Sequence, residues 1–187
     1  MAGPFSSMSV NLGPIAPLYS YVPPNPQKDG LGYKPRCLRR DINAVAAAYT
    51  RADITHALIT NSPDIKTFQN TLQGLDASNV HAFISVHAGG HFTIGGDPGR
   101  DIYTAAGEPG FFPHHAMIDR VDWIWRWLDF ETRGDAIAGG TRMFGTPNPD
   151  GTLEDDQDMK WVGPTVKLKD LLNTMGGNGG KFCYYYV

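Results

Sequence analysis

Five of the six histidines in the chain fall between positions 81 and 115. His87 and His91 are four residues apart. On an α-helix of ~3.6 residues per turn, two imidazoles at that spacing leave the same face. Two nitrogens under-coordinate a transition metal, so a third donor has to come from elsewhere, and the doublet His114-His115 offers one. Three imidazoles with positions left open is the pattern of a catalytic site rather than a closed structural one. Copper or zinc would accept it, with copper(II) favoured by intrinsic affinity. Asp119 lies one helical turn beyond His115, where a carboxylate can receive the distal N–H of a ligand and set its tautomer. A lone i, i+4 pair reads more simply as helix surface, but the doublet and Asp119 together favour the metal. His56 and His81 are read as surface or satisfied core histidines.

The elements that must position these side chains are helices. A short, histidine-rich helix is expected over residues 80–92, weakened inside by Gly89-Gly90 and ended by Gly95-Gly96. The turn-forming run GGDPGRDIYTAAGEPGFF follows. The strongest helix is expected over residues 114–131, with Ile118, Val121, Trp125 and Leu128 on one face and Arg120 and Arg126 solvated or paired outward. Upstream, helices are expected over 38–49 and 52–60. Ser62-Pro63 reads as a capped helix start, Ile65, Phe68 and Leu72 as a core stripe, and Gly74 as its end. A last helix is expected over 167–175, before a glycine-rich turn and the strand-like tail KFCYYYV. Residues 1–35 hold seven prolines and read as an extended lead segment that wraps a surface. The fold class is mainly α, with long Gly/Pro-rich loops and little sheet, in one domain over residues 1–187.

Composition narrows the function classes. At 187 residues, 41% hydrophobic and 19% charged, the chain is long enough to bury a core and is not of disordered type. A net charge of −3 and a pI near 6.0 give no electrostatic case for nucleic acid or for an anionic membrane. No run approaches the ~20 apolar residues of a membrane span. The opening MAGPFSSMSVNLGP has neither a basic nor an apolar signal region. Cys37 and Cys183 suit one long-range disulfide tying the tail to the front of the chain, or else two unpaired thiols.

The run VHAGGHFTIGG, the Gly/Pro loop and then EPGFFPHHAMIDRVDWIW resemble the second copper site of tyrosinases, catechol oxidases and their fungal relatives. The shared elements are His-x-x-x-His, a glycine pair, a (D/E)P-x-F segment, His-His, and Asp-Arg before a Trp-rich helix. The resemblance covers most of residues 36–187. GYKPRCLRRD and the terminal FCYYYV resemble short secreted fungal members. It implies copper, one ion in this chain, held by His87, His91 and His115 on a helix pair of a four-helix bundle. It also implies that His114 stands behind the ligands and that Phe111 or Phe112 lines a pocket for a phenolic ring.

Complete members of the family hold two coppers, each on three histidines. Only His56 precedes His81 here, and AGPFSSMSVNLGP resembles the linker after the first site, so a carboxyl-terminal half is expected. One Cu(I) supplies one electron, whereas reduction of O₂ to the peroxide level takes two. Dinuclear chemistry therefore calls for a complementary half or a second copy, which would also cover the apolar face of the helix pair. Ala88 stands where the family often has an asparagine that assists monophenol chemistry, which favours diphenol oxidation. Pro113 fits a helix entry, and Asp122 replaces an aromatic at a position expected to be exposed. Two alternatives stand beside the oxidase: a mononuclear Lewis-acid site in metabolite biosynthesis, and a non-catalytic metal-binding remnant. Localisation follows the start of the chain, secreted if it belongs to a longer precursor and intracellular if Met1 is the true start.

Overall fold

A computed structural model of the chain describes residues 3–16, 22–75, 84–142 and 147–187. The structure is mainly helical, and the described residues also form two small antiparallel sheets. The chain divides into two compact units, Met1–His56 with Leu72–Asp119 and Ala57–Thr71 with Arg120–Val187. Among the described residues no helix is long and apolar enough to cross a membrane.

The first unit carries α1 (Ala44–Ala47), the start of α2 (Ala52–Asn61), the end of α3 (Ile65–Gln73), α4 (Val86–Ile94) and the start of α5 (Phe111–Trp127). Strands β1 (Ser9–Val10) and β2 (Arg36–Cys37) pair antiparallel. The helix expected from residue 38 begins only at α1, because β2 pairs with β1 and Arg39 bridges to Asp97. Asn43 opens α1, its side chain accepting from the Val45 and Ala46 amides. Ser85 opens α4 in the same way by accepting from Ala88 N, and α4 ends at Gly95 as expected. Residues 80–83 of that expected helix, His81 among them, lie outside the described residues.

α4 packs on α1 and the 3-10 turn that follows it. A Cβ on Gly89 would stand 3.1 Å from Ala46 O and 3.2 Å from Tyr49 Cβ, so the absent side chain sets how close these elements come. The lead segment is held by polar contacts within itself and to Arg36. Buried Asn25 donates to Gly32 O at 2.7 Å, and Arg36 donates to Gly13 O at 3.0 Å.

The second unit holds the rest of α2, α3 and α5, then α6 (Phe130–Arg133) and the pair β3 (Asp156–Gln157) and β4 (Val166–Lys167). Its core is built on Trp125 and Phe68, both 0% exposed, whose rings stack at 4.8 Å. Trp125 Nε1 donates to Ser62 O at 2.9 Å, and the Arg133 guanidinium lies 4.5 Å over the indole. Arg126, expected at the surface, is buried. It pairs with Asp122 at 2.6 Å and donates to the carbonyls of Arg133, Gly134 and Ala136, closing the chain after α5. Asp122 is accordingly half-buried rather than exposed. Leu128, placed on the apolar face by spacing, falls past the end of α5 and is exposed.

Three further expectations change. Asp64, not Ser62, caps α3 by accepting from Thr67 N at 2.8 Å, while the Ser62 hydroxyl donates back to Leu58 O at 2.7 Å. Residues 167–175 form only a 3-10 turn, Leu168–Leu171, because Val166 and Lys167 are taken up in β4. The tail makes an isolated bridge, Met175 with Cys183, rather than a strand. Cys37, in the first unit, and Cys183, in the second, are both exposed free thiols.

Truncating Phe68 to Ala would leave a ring-sized void against Trp125. The expected loss is about 3–5 kcal/mol of unfolding free energy, read from chemical denaturation.

Candidate metal centre

Four imidazoles in the first unit, His87 and His91 on α4 and His114 and His115 on α5, offer ligand atoms that all lie within 4.8 Å of one another. Three of them converge through the same atom. Nε2 of His91 is 3.2 Å from Nε2 of His87 and 3.1 Å from Nε2 of His115. Imidazole nitrogens about 2.0–2.1 Å from one shared ion, at angles near tetrahedral, stand roughly 3.1–3.4 Å apart. The spacing therefore fits a single transition metal among these three, as does the purely imidazole chemistry of the donor set.

His114 is placed differently. Its Nε2–H donates to the backbone carbonyl of His87 at 2.9 Å, which ties the start of α5 to the first turn of α4. Its ring also fills the space beside Gly90. A Cβ on Gly90 would sit 2.1 Å from His114 Cε1, so no residue with a side chain can stand there without displacing the ring. Of the glycine pair, Gly89 thus serves the contact with α1 and Gly90 the contact with α5. What weakens the helix in isolation is what lets it be packed on both sides.

Orientation of the converging rings comes from behind. His87 Nδ1 donates to Gln73 Oε1 at 2.8 Å, leaving Nε2 unprotonated and turned toward His91. The backbone of Gly99 lies beside His91 and partly offsets the lowering of its imidazolium. Phe111 stacks on His115 with centroids 4.0 Å apart, restricting rotation of that ring. Phe112 meets Phe111 edge-on at 5.5 Å and is 63% exposed. Asp119 is half-buried on α5, one turn past His115. His56 is exposed on α2.

Two ion pairs, each with a buried carboxylate, hold the loop that joins α4 to α5. Arg36 binds Asp97 with both oxygens engaged, at 2.6 and 2.8 Å. Arg40 reaches Glu108 Oε1 at 2.5 Å, and the same oxygen accepts from Gly110 N at 3.0 Å just before α5. Spacing along the sequence pointed to neither pair, nor to Gln73 or Gly99. Their partners come from distant parts of the chain and carry no motif.

Electrostatics match a site that receives a cation. Burial, followed by repulsion from His115 and His114, pushes the His87 imidazolium down to about 4. Burial and repulsion from His87, His114 and His115 do the same to His91, also to about 4. Burial lowers His114, partly offset by its bond to the His87 carbonyl, and burial lowers His115. Neutral imidazole is the form that ligates metal, so protons compete weakly here.

Comparison with known proteins agrees with this geometry. A family model described as the common central domain of tyrosinase matches residues 1–128. The tyrosinase-like protein orsC of Emericella nidulans is 37% identical over 152 residues, covering 78% of this chain and 38% of that protein. Tyrosinase P of Aspergillus terreus is 33% identical over 187 residues, covering 99% of this chain and 50% of that one. A solved structure of a polyphenol oxidase variant from Thermothelomyces thermophila superposes with a TM-score of 0.87 at 34% identity, covering 100% of this chain and 50% of the other. The chain thus spans half the length, or less, of these three relatives.

Without metal, His87 and His91 stay neutral in the folded chain down to about pH 4, whereas in the unfolded chain histidine takes up a proton near 6.5. The unfolded state binds more protons between those values, so stability is lost as pH falls through that window. Denaturant midpoints of the metal-free protein should hold from pH 8 to 7 and drop from 6.5 to 5. The double variant His87→Ala/His91→Ala should flatten that drop, and an unchanged slope would refute the assignment.

Proposed function

We propose, from the premise that the chain belongs to the tyrosinase family, that it forms the second-copper half of an oxidase acting on phenolic or o-diphenolic metabolites. The observation that carries the reading is the convergence of Nε2 from His87, His91 and His115 at 3.1–3.2 Å. These three would hold one copper ion. Copper bound there supplies one-electron redox capacity, and a second ion on a complementary half, or on a second copy of the chain, brings the total to the two electrons that O₂ reduction to the peroxide level requires. Oxidation of a catechol to its o-quinone releases two electrons and two protons, so two catechols balance one O₂ reduced to two waters.

The chain's own residues have separable roles in this reading. Gln73 orients the His87 ring, and His114 fixes α5 against α4. Phe111 holds His115 in plane, while exposed Phe112 is free to receive the aromatic ring of a substrate. Ala88 carries no polar side chain beside His87, which favours oxidation of diphenols over hydroxylation of monophenols. Ile42, Val45, Phe112 and Met117 are among the exposed apolar residues of the first unit, some of which a complementary half or a second copy would cover.

Titration with copper should saturate at one ion per chain. His115→Ala should lower copper affinity by more than the ~10–100-fold that removal of an outlying hydrogen-bond partner costs. It should also abolish quinone formation from 4-methylcatechol in mixtures with a first-copper half. Equal quinone yields from the two proteins, corrected for free copper, would refute the oxidase reading.

Association is checked separately by light scattering. The isolated chain is expected to form dimers or larger species as its concentration rises, and a constant monomer mass would exclude the second-copy arrangement.

A further inference from the structure

Gln73 is the last residue of α3, and Gly74 with φ 73 turns the chain immediately after it. Leu72 beside it is buried and anchors this end of the helix, while Gln73 itself is exposed. Nothing about an exposed helix-terminal position demands glutamine, since many residues have comparable helix propensity. What uses its chemistry is the 2.8 Å contact from Oε1 to His87 Nδ1. A carboxamide oxygen can only accept, so the ring must carry its proton on Nδ1, and Nε2 is left as a lone pair facing His91 Nε2 at 3.2 Å.

We infer that Gln73 is a positioning residue of the metal centre, which holds His87 in the one tautomer and ring orientation that presents Nε2 to an ion. The acceptor is neutral, so it orients the ring without adding negative charge next to the cation, unlike the carboxylates that often stand behind metal-bound histidines. The role matters only for a ring that binds metal, and to that extent it rests on the copper reading above.

The test uses the whole chain and two substitutions, Gln73→Leu, which removes the acceptor, and Gln73→Glu, which restores an acceptor oxygen at the same reach. Nitrogen-15 NMR of the metal-free proteins reports which nitrogen of His87 carries the proton. The expected result is an Nδ1–H ring in the parent protein and in Gln73→Glu, and loss of that preference in Gln73→Leu. Copper affinity should fall ~10–100-fold in Gln73→Leu and return in Gln73→Glu, with far-ultraviolet circular dichroism unchanged throughout. A parent ring protonated on Nε2, or an Nδ1–H ring that persists in Gln73→Leu, overturns the role of Gln73. The expected tautomers with no copper bound by any of the three proteins would support the orientation by Gln73 and overturn the copper site instead.

Discussion

His114 donates one hydrogen bond across to the carbonyl of His87, and its ring occupies the place that a side chain on residue 90 would take. The separation of α4 and α5 at this level follows from that contact. With the helices any farther apart, His115 could not bring Nε2 to 3.1 Å from His91. An isolated helix containing Gly89-Gly90 would be poorly stable, because each glycine costs about 1 kcal/mol relative to alanine. Packing on α1 on one side and on His114 on the other offsets that cost, so the glycine pair is a requirement of the site rather than a defect of the helix.

The rest of the first unit is organised to keep those two helices in place. Between them runs a loop with few apolar residues to bury, and it is held by charge instead. Asp97 and Glu108 are each 1% exposed and each bound to an arginine from the stretch just after the lead segment. Taking a carboxylate out of water is expensive, and an ion pair repays it only with close, multiply bonded geometry. Arg36 with Asp97 meets that condition through two short bonds, whereas Glu108 is bound on Oε1 alone, by Arg40 and Gly110 N, and its buried Oε2 has no hydrogen-bond partner among the described residues. The pairs are therefore better understood as placing the loop, and through it Gly99 and Phe111, than as a source of net stability.

The second unit follows a more ordinary logic, in which a buried indole and phenyl ring form the centre and a buried arginine satisfies three carbonyls where the chain leaves α5. Here spacing was a good guide to Phe68, Val121 and Trp125. It failed at Leu128, because periodicity says nothing about where a helix stops. It failed at Arg126 as well, because a guanidinium is buried when nearby carbonyls converge on it, and their convergence depends on how the chain turns after the helix.

The sequence by itself determined the histidine cluster: two histidines at helical spacing, a histidine doublet, and glycines that lie within α4 and end it. These are local features, since one helical turn fixes which side chains share a face. The mainly helical class followed from the same periodicity. Only the tertiary structure decided that His114 bonds a backbone carbonyl, that Gln73 meets His87 from behind, and that Arg36 and Arg40 reach Asp97 and Glu108. Each of these contacts joins residues with no helical or strand register between them. Gln73 and His87 are fourteen positions apart, and Arg40 and Glu108 are sixty-eight. Such partners are chosen by where the packed chain happens to bring a donor within hydrogen-bonding reach of an acceptor, and residue spacing does not encode that distance.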